Sequence, residues 1–231
     1  MNPWQHQIIP RAKALYTPIP KCACTTLKKA SLEFAGVDRL FKIDGDWDPA
    51  FNVHWHSPLQ VEGPLNEWRD RGLWSFSCVR NPWDRLVSCW IDKIARPTDD
   101  PLADQEFESL FSPYPWFDQV RRHMPFEEFA RVVCSIEDDD LCEPHFRPMA
   151  WFIADESGAV PDFVARVESL DHGLAHVCEI LQLEADLVHA HPDPDGRKTY
   201  QAYYTPQLAD QVGRRYRRDV ELFGYSFEVA G

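Results

Sequence analysis

Ile19-Pro-Lys-Cys-Ala-Cys-Thr-Thr-Leu-Lys28 decides the reading of this chain. A run rich in strand formers, Ala14 to Ile19, leads into it, and a helix-forming run, Thr25 to Phe34, leaves it. The turn between them is built of small residues, so backbone N–H groups can crowd around one anion. Lys21 adds a positive charge, Thr25 and Thr26 add hydroxyls, and the new helix presents the positive end of its dipole. Lys21, Cys22, Ala23, Cys24, Thr25 and Thr26 thus form a phosphate cradle. Its spelling is not G-x-x-x-x-G-K-[ST]: the lysine comes first, after a proline, and the hydroxyl pair follows.

A second stretch complements it. Leu73-Trp-Ser-Phe-Ser-Cys-Val79 alternates and reads as a strand. It runs into Arg80-Asn-Pro-Trp-Asp-Arg-Leu-Val-Ser-Cys-Trp90. Asn81 is a good N-cap, Pro82 suits the first helical position and Asp84 favours the first turn. Apolar residues at 83, 86, 87, 90, 91 and 94 form one helical stripe, with Arg85, Ser88 and Asp92 on another face. Arg80 therefore stands at a strand's carboxyl end, with Ser88 on the helix that follows. In open α/β sheets, ligands bind at such carboxyl ends, near a switch in strand order. If the two strands are neighbours, the two motifs face one crevice and hold the two ends of one nucleotide.

The lysine-first loop resembles the 5′-phosphosulfate loop of sulfotransferases that use 3′-phosphoadenosine 5′-phosphosulfate (PAPS). Its wording is closest to the carbohydrate sulfotransferase branch, sulfotransferase family 2. Arg80 and Ser88 resemble that family's 3′-phosphate grip. The resemblance runs from about residue 14 to 227. It implies an α/β fold of three layers, P-loop-like, with a central, mostly parallel sheet flanked by helices. It also implies that Arg197 or Lys198 reaches the 3′-phosphate. A tyrosine of the stretch Arg197-Lys-Thr-Tyr-Gln-Ala-Tyr-Tyr204 would stack near adenine.

Composition bounds the rest. At 231 residues, one domain spanning 1–231 is the natural expectation. Residues 1–13 read as a loosely held N-terminal arm. The irregular segment 97–123, rich in Pro, Asp and aromatics, reads either as part of an acceptor pocket or its lid or, equally well, as a surface insertion with short helices. A net charge of −13 argues against a general nucleic-acid or anionic-membrane partner. An anionic co-substrate then needs a local basic site, for which Lys21, Arg80, Arg85, Arg197 and Lys198 are the candidates. The seven cysteines are odd in number and lack a C-x-x-C pair, so they read as reduced thiols. A metal on Cys22-x-Cys24 is disfavoured, and none is expected elsewhere. No run has the length of a membrane span and no signal pattern opens the chain. Golgi carbohydrate sulfotransferases carry an anchor, so its absence points to a cytoplasmic, bacterial relative or a trimmed chain.

Sulfuryl transfer to an acceptor hydroxyl needs positioning, charge stabilisation and a base. Lys21 is the candidate for neutralising the bridging oxygen. His56, in His54-Trp-His-Ser-Pro58, is the first candidate base, because it resembles the family's H-S-P-L segment, and His54 is the reserve. His145 is a weaker candidate, and Glu62, Glu67 and Glu143 stay open as alternatives. Arg166 and Glu168 match a family strand, where an ion-pair role is as well supported as a catalytic one. Glu143-Pro-His-Phe-Arg-Pro-Met149 resembles a family segment that precedes an aromatic strand, here Trp151-Phe-Ile153. The resemblance implies an acceptor hydroxyl on a glycan or small molecule. Two rival readings stand: a magnesium-dependent P-loop phosphotransferase, and a sulfotransferase-like domain that binds nucleotide without turning it over.

Overall fold

A computed structural model describes residues 3–96, 102–155, 158–183 and 199–227. In chain order the main elements are β1 (Pro3–Ile9), β2 (Ala14–Thr17), α1 (Cys24–Ala35), β3 (Lys42–Ile43), β4 (Asp46–Trp47), α2 (Val53–His56), β5 (Gln60–Pro64), α3 (Leu65–Asp70) and β6 (Trp74–Val79). Then come α4 (Pro82–Cys89), α5 (Leu102–Phe111), α6 (Phe126–Ser135), α7 (Met149–Ile153), β7 (Phe163–Arg166), α8 (Leu170–Leu181), α9 (Pro206–Arg215) and α10 (Arg217–Phe223). Among the described residues no helix is long and apolar enough to cross a membrane. Of these residues, those within 3–79 and 151–183 form one compact unit, and those within 80–150 and 199–227 form another.

The first unit is built on a five-stranded sheet in the order β5-β1-β2-β6-β7. β2, β6 and β7 pair in parallel, and β1 runs antiparallel to both its neighbours. The sheet is therefore mixed but mostly parallel. β2 is buried along its whole length, as are residues 75–79 of β6, which is why both read as near-continuous runs of strand formers. Leu27, Ala30 and Phe34 of α1 and Leu170, Leu174 and Val177 of α8 pack with Tyr16, Phe76 and Ala165 of the sheet in one core. Gly173 lets α8 come close: a Cβ there would stand 2.8 Å from the Ala165 Cβ.

The N-terminal arm expected for residues 1–13 is instead β1, an inner strand. Its polar letters masked it, because partners far along the chain take up both ring nitrogens of His6 and the side-chain oxygen of Gln7, while Gln7 Nε2 is left without a partner among the described residues. His6 is hydrogen-bonded through Nδ1 to the Thr17 hydroxyl at 2.9 Å and through Nε2 to the Gly63 carbonyl at 2.9 Å. Gln7 accepts from the Ser57 hydroxyl. Trp4 stacks edge-on against Phe152 at 4.6 Å between centroids.

The second unit is helical. Asn81 caps α4, accepting from Trp83 N at 3.1 Å and Asp84 N at 3.4 Å. The expected apolar stripe continues past α4, but residues Trp90–Ala95 wind as a π-helix. The core is aromatic: Phe111, Trp116, Phe129 and Phe146 are all at most 5 % exposed and touch ring to ring. Phe111 and Trp116 come from the segment 97–123, so two of its aromatics are structural in this unit; residues 97–101 lie outside the described set.

Trp151-Phe-Ile153 is not the strand its β-formers predict but the body of the short helix α7. The buried Asp219 carboxylate accepts from Met149 N at 2.8 Å and Ala150 N at 2.7 Å, giving two N-terminal amides of that helix their partners. Long-range capping outweighs local propensity here. The C-terminal helical stretch is divided into α9 and α10, broken at Tyr216.

Candidate active site

The cradle begins where β2 ends. Pro18 and Pro20 fix two φ angles of the turn, and the Pro18 carbonyl accepts from the Trp4 indole at 2.7 Å. Cys22 N closes back on the Ile19 carbonyl at 3.1 Å. Lys21 (φ 67°) and Ala23 (φ 55°) both adopt the left-handed conformation. Neither is glycine, so each costs on the order of 1 kcal/mol of strain, which persists where the surroundings over-determine it. Left-handed residues within a turn swing successive N–H groups to one side and make an anion-binding concavity.

Ala23 is the N-cap of α1, and no side chain caps it. The first intrahelical bond runs from Leu27 N to the Ala23 carbonyl at 3.0 Å. The amides of Cys24, Thr25 and Thr26 thus open the helix, with Thr25 exposed and Thr26 half-buried. An uncapped helix start after a strained, lysine-bearing turn is suited to a phosphate or sulfate oxygen.

The histidine pair sits on α2, which Asn52 starts by accepting from His54 N at 2.9 Å. The two rings part company. His54 Nε2 is hydrogen-bonded to the Thr25 hydroxyl at 2.9 Å, so it reaches the cradle. His56 is exposed, and its ring lies 6.5 Å from that of Phe51. An Asn placed just ahead of Val-His-Trp-His was the available sign of a short capped helix that turns these rings to different sides.

The strands that feed the two motifs are direct neighbours: β2 and β6 pair in parallel, with Thr17 opposite Ser77. β6 ends at Val79, one residue before Arg80. In the second unit, Arg80 Nη1 donates to the Ser88 hydroxyl at 3.0 Å and Nε to Asp84 at 2.6 Å. Its backbone N–H donates to the Met149 sulfur at 3.4 Å. Asp84, read from sequence only as a helix-start residue, is thus also the group that orients the guanidinium.

Other candidates go elsewhere. Arg85 is 2 % exposed and donates to the carbonyls of Arg147 at 2.6 Å and Pro144 at 3.0 Å, so it ties the second unit together. His145 Nδ1 pairs with Glu143 Oε1 at 2.7 Å. Glu62 lies on β5 and Glu67 on α3, and Arg166 ends β7. The Tyr200 hydroxyl donates to the Phe227 carbonyl at 2.6 Å and the Tyr204 hydroxyl to the Trp83 carbonyl at 2.9 Å. Arg197 and Lys198 lie outside the described residues.

Among the described residues no group of His, Cys, Asp and Glu side chains is arranged to hold a metal ion. Cys22, Cys78, Cys89, Cys142 and Cys178 are buried thiols. Burial pushes the Cys142 thiol up to about 12.

Comparison with curated proteins gives no match, and neither does comparison with solved structures. A family model described as the sulfotransferase family matches residues 4–226, nearly the whole length. With the lysine-bearing turn and the Arg80–Ser88 stretch inside that span, the chain belongs to the sulfotransferase family, the enzymes of sulfuryl transfer.

Proposed function

We propose that the protein transfers a sulfuryl group from PAPS to a hydroxyl of a glycan or small molecule. The observation that carries this reading is the cradle: left-handed backbone at Lys21 and Ala23, directly before an uncapped helix start. PAPS supplies an activated sulfuryl group on its 5′-phosphate. The amides from Cys22 to Thr26 and the Thr hydroxyls would hold that 5′ end, and Arg80 with Ser88 the 3′-phosphate. Arg197 and Lys198 are kept as further 3′-phosphate ligands.

The chemistry asked of the chain is positioning and charge stabilisation. Lys21 offsets the negative charge that builds on the bridging oxygen as the S–O bond to phosphate breaks. A histidine takes the acceptor proton as the new S–O bond forms. The Thr25 contact favours His54 as that base over His56, because it brings an imidazole nitrogen to the cradle itself. The three-layer, P-loop-like arrangement is part of the same proposal, supported by a lysine-bearing turn between a buried parallel strand and a helix.

The test is calorimetric titration with 3′-phosphoadenosine 5′-phosphate, with and without magnesium, followed by sulfuryl transfer from PAPS to a panel of hydroxyl acceptors. Metal-independent binding together with transfer supports the reading. Absence of binding, or binding of ATP only with magnesium, overturns it.

A further inference from the structure

Lys28 is buried in α1, and no counter-ion stands beside it among the described residues. It is 3 % exposed, and among the described residues its ammonium makes no hydrogen bond or ion pair. Lysine is almost never buried unless paired, because removing its charge from water is costly. Burial lowers its pKa, and the Cys24 thiol, one helical turn earlier, raises it again. On the sheet side, Cys24, Cys78 and Cys22 all act on Tyr16, whose hydroxyl has no hydrogen-bond partner among the described residues.

The direction of the side chain follows from helix geometry. Long side chains in a helix lean toward its N-terminus and cover the turn preceding their own Cα. That rule directs Lys28 over the turn of Cys24 and Thr25, the uncapped start of α1, and Cys24 is the one group whose charge acts on it. Its neighbour Lys29 has a different occupation: its ammonium stands 5.1 Å from the centroid of the Trp47 ring.

We propose that Lys28 is the second cation of the cradle, a buried charge whose missing counter-ion is the 5′-phosphate end of the bound nucleotide. Lys21 stands just before the helix and Lys28 one turn inside it. This inference rests on the nucleotide reading above and adds a residue to it. A buried charge in a low-dielectric wall acts on an anion more strongly than an exposed one, so the site gains selectivity for ligands that place phosphate there.

The experiment compares adenosine 3′,5′-bisphosphate with adenosine 3′-monophosphate, by calorimetry, on wild type, Lys28→Met and Lys29→Met. Methionine fills nearly the same volume and removes an unpaired buried charge, so Lys28→Met should melt no lower than wild type. Wild type should prefer the bisphosphate. Lys28→Met should lose about tenfold or more in bisphosphate affinity and leave 3′-monophosphate affinity unchanged; Lys29→Met should change neither. Equal bisphosphate affinity in Lys28→Met and wild type would overturn the inference, as would equal losses for both nucleotides. If wild type binds neither nucleotide, it is the nucleotide reading of the site that has failed.

Discussion

Arg80 donates to the hydroxyl of Ser88, eight positions on, at 3.0 Å, while Asp84 holds the same guanidinium from the turn between them at 2.6 Å. The Arg80 side chain is 11 % exposed, so the fork is already fixed in direction and, on the function proposed above, would have little freedom left to lose on binding a phosphate. Arg80→Ala is expected to weaken adenosine 3′,5′-bisphosphate binding by about 2 kcal/mol, roughly thirtyfold. Ser88→Ala should cost less, about threefold to tenfold. Both should affect ligands with a 3′-phosphate more than those without, which titration of the two classes checks.

Lys21 and His54 are expected to act on rate. Lys21→Met should lower kcat by about a hundredfold or more, the order of loss seen when a group that stabilises developing charge is removed. His54→Ala should lower kcat by about a hundredfold and abolish the acid limb of the kcat/KM pH profile. His56→Ala should leave that limb in place. If the limb persists in His54→Ala and vanishes in His56→Ala, the two histidines exchange roles.

Asp219 is fully buried, and burial pushes its pKa up to about 6, against the pull of the two amides it caps and of Arg85. The folded-state value lies above the usual 3.8, so the native state holds the proton more tightly than the unfolded one. Stability from this group is complete below pH 4 and is lost as pH rises toward and through 6. Each unit of difference is worth about 1.4 kcal/mol. Asp219→Asn should flatten that slope between pH 4 and 6.5 in urea unfolding. A slope equal to wild type would remove Asp219 as its source.

Gly173 tests the packing of α8 on the sheet. A Cβ there would press on Ala165 at 2.8 Å, so Gly173→Ala should destabilise by about 1–3 kcal/mol although alanine favours helix. The double change Gly173→Ala with Ala165→Gly removes the clash and should recover part of the loss, as thermal melts would report.

The parts of this fold legible in sequence are those where local chemistry and tertiary role agree. Asn81-Pro82 announces a helix start, and the buried strands β2 and β6 are rich in β-formers. Legibility fails where distant partners decide. β1 hides behind His6 and Gln7, whose burial is made tolerable by Thr17, Gly63 and Ser57, residues far along the chain. α7 depends on Asp219, seventy residues from Met149. At the site, the order of residues in the cradle and the spacing of Arg80 and Ser88 were readable. The separation of His54 from His56 was not, because it depends on which face of a single helical turn meets Thr25.

β6 takes its last partner, β7, only after the chain has built the whole of residues 80–150. On the ribosome, the hydrophobic run Trp74–Val79 therefore emerges long before the strand that covers its outer edge. Throughout that interval the nascent sheet ends in an unpaired, uncharged edge able to recruit a neighbouring chain. The order of synthesis, rather than the finished structure, sets how long that edge stays open to edge-to-edge pairing.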